Sequence, residues 1–200
     1  MKVSKKLFAV LAMAMALAVA LFVTGCGGPS PEEIEEGIRA DVTERLDILK
    51  DPESEEYQQL LSMMEDQAST AELEAYGVTG EDIMTSLFDG YEYEITSVEL
   101  DQENGTADVE VAVTCKSLSD IESGMYDAVD GLYDEVYANP EKFMNMSEDE
   151  LNAYAGEFMM GVFDETEPRE TDLSLTYSEG DGGQWEADED PFNELATCFM

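Results

Sequence analysis

The 200-residue sequence predicts an α+β domain in which a curved antiparallel sheet of about four strands packs against helices. Three observations predict this fold. In several segments, apolar residues recur at three- and four-residue spacing, which is typical of amphipathic helices. In two others they alternate with polar residues, which is typical of strands with one buried face. Finally, 9% of the residues are aromatic despite a net charge of −39, and this composition argues against a disordered chain.

Residues 1–25 have the three parts of a secretory signal. Basic residues at Lys2, Lys5 and Lys6 precede an apolar run from Leu7 to Val23. The sequence Val-Thr-Gly-Cys at 23–26 resembles the lipobox of bacterial lipoproteins. That resemblance implies cleavage before Cys26 and diacylation of its sulfur.

The alternative is an uncleaved membrane helix, because about 17 apolar residues is the lower limit for spanning a bilayer. The Gly-Gly-Pro that follows Cys26, without a basic cluster, favours cleavage. Two acyl chains suffice for stable anchoring in a lipid bilayer. The predicted organisation is a signal at 1–25, a lipidated cysteine with a short tether at 26–31, and a single acidic domain at 32–200. The domain is expected on the extracytoplasmic face of the cell membrane.

The acidic charge restricts the classes of partner. All 48 Asp and Glu residues follow Cys26, along with only six of the nine Lys and Arg residues. Such a domain repels nucleic acid and anionic headgroups and attracts cations and basic proteins. The plainer interpretation is a solvated surface that keeps the protein soluble.

Two cysteines, Cys115 and Cys198, remain once Cys26 is assigned to lipid. Disulfides persist outside the cytoplasm, so a bond between them is predicted. Such a bond would contribute about 4 kcal/mol in the chain-entropy model. The alternative is two buried free thiols. Without histidine or paired-cysteine spacing, no zinc site and no other metal site or cofactor is predicted.

Helices are predicted before the first strand. Ser30 can cap a helix that ends at Asp51-Pro52, with an apolar stripe that faces the core. Two further helices are predicted at 54–64 and 68–76, with Gly77 as the cap of the second. Thr79 and Asp82 resemble a capping box in front of a last helix that ends at Gly90. The stripe of the first helix contains Ile34, Ile38, Val42, Leu46 and Leu49.

Alternation from Tyr91 to Cys115 predicts a hairpin around the turn Asn104-Gly105. After Ile95 the apolar residues shift from odd-numbered to even-numbered positions, which predicts a bulge near Thr96-Ser97. On the second strand, alternate residues from Ala107 to Cys115 are predicted to be buried.

A helical pair is predicted next, followed by a second hairpin. The first helix is expected to bury one side, and Ser147 and Glu150 form a capping-box pair at the start of the second. Leu173, Leu175 and Tyr177 then share a strand face, and Trp185 follows a turn. A short helix carries Cys198. The expected inward residues of the pair are Ile121, Met125, Val129, Leu132 and Val136, then Leu151, Tyr154, Phe158, Met159 and Val162.

The order of helices, the hairpin YEYEITSVELDQENGTADVEVAVTC and the final TDLSLTYSEGDGGQWEAD resembles small Gram-positive lipoproteins with nuclear-transport-factor-2-like (cystatin-like) domains. The resemblance covers about residues 32–190. It implies a curved sheet around a helix, often with a conical cavity, and it implies no particular chemistry.

These observations favour a non-catalytic binding or interaction module. No conventional catalytic triad can form without histidine, so no enzyme and no catalytic residue is predicted. If a cavity is open to a small apolar ligand, its candidate linings are Tyr91, Tyr93, Tyr177 and Trp185, although core packing is the commoner use of such residues. The alternative is an accessory envelope protein that docks another extracellular protein, and the acidic charge favours a basic one. A hydrolase based on paired carboxylates is less favoured, because nothing selects a pair among so many acids.

Overall fold

The computed structural model describes residues 29–65 and 73–200. The predicted signal, Cys26 and most of the predicted helix at 68–76 lie outside these ranges. Seven α-helices and four strands are described: α1 (Pro31–Leu46), α2 (Glu55–Glu65), α3 (Gly80–Leu87), β1 (Glu92–Asp101), β2 (Thr106–Cys115), α4 (Leu118–Ala138), α5 (Pro140–Met144), α6 (Glu148–Glu165), β3 (Arg169–Glu179), β4 (Trp185–Ala187) and α7 (Pro191–Cys198).

Short-range hydrogen bonds fix where the helices begin and end. The predicted capping boxes at Thr79 (α3) and Ser147 (α6) are confirmed, and Ser30 forms a third with Glu33 at the start of α1. Each box satisfies two backbone N–H groups that have no partner inside the helix. Gly77 has a φ of 74° and ends the 3-10 helix Glu74–Tyr76, as predicted. Within the described residues, no helix is both long and apolar enough to cross a membrane.

The four strands form one open antiparallel sheet in the order β1-β2-β3-β4. The predicted bulge is confirmed, because the register of β1 on β2 shifts between Ile95 and Ser97. Thr96 is the extra residue, and its hydroxyl donates to the carbonyl oxygen of Glu110 at 3.0 Å. Arg39 of α1 donates to the carbonyl oxygen of Ile95 at 3.1 Å, which fixes this helix at the bulge.

One face of the sheet forms the core and the other faces solvent. The apolar side chains of β2 and β3 that alternate inwards are almost fully buried, and α1 and α7 cover them. The predicted α+β class is therefore confirmed. The solvent face carries carboxylates on three strands, including Glu94, Asp108 and Asp172. The core residues are Ile34, Ile38, Val42, Leu46, Leu49, Tyr91, Ala107, Val109, Val111, Val113, Cys115, Leu173, Leu175, Tyr177, Leu195, Cys198 and Phe199.

Buried tyrosines and thiols are held in their neutral forms by this core. Burial raises the pKa of the Cys115 thiol to about 11. Burial likewise raises the pKa of Tyr177 far above its ordinary value, and the nearby carboxylate of Asp41 raises it further. The Tyr177 hydroxyl donates to Oδ2 of Asp41 at 2.8 Å, so this tyrosine also links β3 to α1.

The domain is therefore expected to lose stability in alkali. The pKa values of these groups are higher in the folded state, so their contribution is fully present below the ordinary thiol pKa of 9.0 and is lost as pH rises through about 11. Tyr177 adds to the loss above its ordinary value of 10.0. Melting temperatures measured with a phosphine reductant should fall steadily above pH 9. A Tyr177→Phe variant should fall less steeply above pH 10, and equal slopes would contradict this assignment.

Candidate interaction surface

The four aromatic residues predicted as cavity linings lie on the core side of the sheet. Tyr91 and Tyr177 are core residues, and Trp185 is half-buried against the same cluster. The Tyr91 hydroxyl donates to the carbonyl oxygen of Leu46 at 3.3 Å, and its ring stacks on Phe199 with a centroid distance of 6.4 Å. Tyr91, Tyr177 and Trp185 therefore pack in or against the core, which is the commoner use of such residues.

Tyr93 is half-buried at the edge of this core and contacts α1. Its hydroxyl donates to Oδ1 of Asp47 at 2.7 Å. Burial raises the pKa of Tyr93 to about 12, and the Asp47 carboxylate adds to the shift. The ammonium of Lys50 lies 4.1 Å from the centre of the Tyr93 ring, so this tyrosine holds a cation from its own chain.

Two surface grooves are described, and none of these four aromatics lines either of them. One groove, of about 510 Å³, lies between Pro31 and the turn that joins β1 to β2. The other, of about 670 Å³, lies between α3 and α6, and both helices contribute carboxylates to it. Within residues 29–65 and 73–200, no group of Cys, Asp and Glu side chains is arranged to hold a metal ion. The residues lining the second groove include Glu81, Asp82, Ser86, Asp89, Glu157 and Asp164.

Cys115 and Cys198 are brought together but are free thiols in the structure. Both are buried, and the Cys115 Sγ donates to the carbonyl oxygen of Cys198 at 3.2 Å. The predicted disulfide is thus not formed here, although α7 places the two residues beside each other. Burial raises the pKa of both thiols, which keeps them protonated and unreactive near neutral pH.

Alkylation distinguishes the two states of this pair. Free thiols at Cys115 and Cys198 should resist iodoacetamide at pH 8 in the folded protein, because they are buried and protonated. Both should react in denaturant without reductant, and mass spectrometry counts the adducts. If the disulfide is present, neither residue reacts in denaturant until a reductant is added.

A helical arm, Leu118–Glu165, separates the two hairpins and consists of α4, α5 and α6. Glycines permit close packing within it. A Cβ atom on Gly124 would lie 2.8 Å from Cγ1 of Val162, and a Cβ on Gly131 would lie 4.0 Å from the Phe158 ring. In turn, α6 packs against α3 and the 3-10 helix Glu74–Tyr76, where Gly156 lies against the carbonyl oxygen of Tyr76.

The base of the arm is fixed to the sheet by polar groups that the sequence analysis did not identify. Lys116 is almost fully buried, and its ammonium donates to the carbonyl oxygen of Phe163 at 2.8 Å. This carbonyl belongs to the last turn of α6, where the helix dipole favours a positive charge. Arg169 of β3 donates to the Ser117 hydroxyl at 2.9 Å and pairs with Asp120 at 3.2 Å. The orientation of the arm is therefore set by contacts with the ends of β2 and β3.

At the tip of the arm, an exposed lysine contacts aromatic rings and a carboxylate. The Lys142 ammonium donates to Oε1 of Glu135 at 2.7 Å and lies 4.5 Å from the centre of the Tyr154 ring. The Tyr154 hydroxyl donates to the other oxygen of Glu135. Hydrogen bonds from Lys142 and then Tyr154 lower the pKa of Glu135, so this carboxylate stays charged. The Phe143 ring packs edge-on against Tyr154.

The outward side of α4 carries large apolar side chains that no described element covers. The exposed fractions are 69% for Tyr126, 48% for Val129, 58% for Tyr133 and 82% for Tyr137. Their spacing of three, four and four residues places them in one line along the helix. We call these four residues the α4 tyrosine face. An exposed apolar patch of this kind marks an interaction site on many proteins.

This face corrects the prediction for the helical pair. The sequence analysis placed Val129 inwards, but it is exposed, and Leu151 of α6 is 38% exposed. Ile121 is buried as predicted, whereas Met125, Leu132 and Val136 are only half-buried. The predicted stripe was wrong in part because α4 makes its main contacts with α6, through glycines, and with the short α5. A helix that packs on one side against other helices leaves the other side exposed.

Carboxylates flank the tyrosines on α4. Asp127, Asp130 and Asp134 are exposed, and Glu122 lies one turn before Tyr126. None of these four belongs to the ion pairs found within residues 29–65 and 73–200. The face therefore combines aromatic rings with carboxylates that have no cationic partner in the described part of the chain.

Comparisons with known proteins add little to this description. No family model matches the sequence, and no curated protein does either. Among solved structures, the chain is similar to a "putative lipoprotein (ycdA)" from Bacillus subtilis, with a TM-score of 0.37 and 19% sequence identity. The match covers 98% of this chain and 59% of the Bacillus chain, so this chain spans less than two thirds of that neighbour. At this level the similarity carries no argument about function.

Proposed function

We propose that this protein is a lipid-anchored, extracytoplasmic docking module that binds another protein through the α4 tyrosine face. One observation carries the proposal: three tyrosines and a valine are exposed in one line on α4, which packs against α6 and is joined to β3 by the Asp120–Arg169 ion pair. Tyrosines are enriched where proteins bind one another, because they combine a large apolar surface with a polar hydroxyl.

The docking role is favoured over a ligand cavity by the placement of the aromatic residues. Two of the four cavity candidates fill the core, whereas the tyrosines of α4 face solvent. When a partner covers an exposed tyrosine, apolar surface leaves water and binding is favoured. A tyrosine that is already in the core offers no such surface. The role is non-catalytic in this proposal, because a sequence without histidine cannot form a conventional catalytic triad.

The proposal also includes the lipid anchor at Cys26 and the nuclear-transport-factor-2-like family. The lipobox-like residues 23–26 support lipidation at Cys26, and the order of helices and hairpins supports a nuclear-transport-factor-2-like domain. The domain begins with α1 at Pro31, only a few residues after Cys26. A tether of this length has a reach of roughly 10–12 Å, so the domain would lie close to the membrane.

Photo-crosslinking in the native host tests the docking role. Benzoylphenylalanine at Tyr133 is expected to yield a discrete crosslinked protein adduct. The same residue at Thr176, which is exposed on the solvent face of the sheet, should yield none. The adduct at position 133 should disappear when Tyr126 and Tyr137 are both changed to serine. Equal crosslinking at 133 and 176 would overturn the proposal.

A further inference from the structure

We infer that the α4 tyrosine face binds a cationic segment of its partner, whose arginine or lysine side chains lie between the tyrosine rings and the neighbouring carboxylates. The inference rests on the proposed docking function and adds the chemistry of the partner. It is carried by a recurring arrangement in this molecule, in which a tyrosine ring and a carboxylate together hold an ammonium group.

The described chain contains two occupied examples of this arrangement. Lys50 lies 4.1 Å from the Tyr93 ring centre, and its Nζ is 3.8 Å from Oδ1 of Asp47. The Lys142 ammonium lies 4.5 Å from the Tyr154 ring centre and is bonded to Glu135. In both, the ring face and the carboxylate attract the same cation, so their effects reinforce each other.

The outward side of α4 repeats the arrangement without a cation. Asp130 lies four residues after Tyr126 and three before Tyr133, so it is a neighbour of both on the helix surface. Asp134 likewise lies three residues before Tyr137. Within the described residues, no ion pair involves either aspartate. The face thus has the ring and the carboxylate, and the cation is left for a partner to supply.

The acidic charge of this chain and the length of the α4 tyrosine face limit which partner can supply the cation. A second copy of this chain brings a net charge of −39 and the same carboxylates, so self-association along this face is repulsive. An anionic membrane surface is repelled for the same reason. From Tyr126 to Tyr137 the helix rises about 16 Å, which matches roughly five residues of an extended segment or three turns of a helix. A short basic segment is sufficient to cover the face.

Fluorescein-labelled nona-arginine provides a direct test, with binding to residues 27–200 followed by fluorescence anisotropy in 150 mM salt. The key variant changes Tyr126, Tyr133 and Tyr137 to serine and leaves the charge unaltered. It should bind the peptide at least about tenfold more weakly, because exposed cation–π contacts each contribute a factor of a few. Labelled nona-glutamate should bind neither protein. Circular dichroism and thermal melting confirm that the variant is folded.

The matched control removes three charges from the solvent face of the sheet and keeps every tyrosine: Glu94→Gln, Asp108→Asn and Asp172→Asn. It should weaken peptide binding by less than about threefold in this salt, because distant exposed charges are largely screened. A larger loss in the control than in the tyrosine variant would show general attraction by net charge and would overturn the inference. A crosslinked partner at Tyr133 with no basic segment would also overturn it, while the docking function would stand.

Discussion

Replacing Val111 with aspartate is expected to lower the free energy of unfolding by more than about 4 kcal/mol. Val111 is 1% exposed at the centre of the sheet, between Ile95 of β1 and Leu173 of β3. A carboxylate at this position has no partner, so it is buried either unpaired or as a neutral acid. Urea denaturation followed by Trp185 fluorescence and by circular dichroism measures the loss.

Glu110→Gln is the matched control, one residue away on the opposite face. Glu110 is exposed, and its Oε2 accepts a hydrogen bond from the Ser174 hydroxyl at 2.9 Å. Glutamine keeps an acceptor for that bond, so the free energy of unfolding should change by less than about 0.5 kcal/mol. Similar small effects at 110 and 111 would show that the register of β2 is not the one described.

The second large effect is expected at Gly156→Ala in α6. A Cβ atom at this position would lie 2.0 Å from the carbonyl oxygen of Tyr76, which is a backbone atom and cannot rotate away. The helix must therefore separate from the 3-10 helix Glu74–Tyr76, with a loss of about 3 kcal/mol or more. Hydrogen exchange should become faster in α6 and α4, while the amides of β2 and β3 stay protected.

Gly161→Ala in the same helix is the comparison. Nothing lies within 4 Å of a Cβ built on Gly161, so alanine adds no clash. It should stabilise the protein by up to about 1 kcal/mol, because alanine favours a helix more than glycine does. If both alanine variants were equally stable, the packing of α6 against Tyr76 would be contradicted.

Much of the fold could be predicted because local signals and tertiary contacts agree. The shift of the apolar residues from odd to even positions after Ile95 predicted the bulge. The capping boxes at Thr79 and Ser147 predicted where two helices start. The buried face of β2 followed from strict alternation. Such signals act over a few residues, so they can be read directly from the sequence.

The candidate surface was harder to predict because its residues are apolar but exposed. Periodicity shows that Val129 lies on the Met125 side of α4, but not which side contacts another helix. The inward side of α4 is marked by Gly124 and Gly131, seven residues apart. Small residues at that spacing were the available signal for a close helix contact. The buried position of Lys116 had no comparable signal, because it depends on the carbonyl group of Phe163, far away in sequence.

The position of α7 has a consequence for how the protein is made. This helix packs on α1 and β3, and the Phe199 carbonyl accepts a hydrogen bond from the backbone N–H of Leu118 at 2.6 Å. The core therefore joins residues from near the beginning of the domain to residues near 199. During synthesis, the core is therefore incomplete until those late residues have emerged, because the part of the sheet that α7 covers stays exposed. Until then, part of the apolar face of the sheet stays open to chaperones.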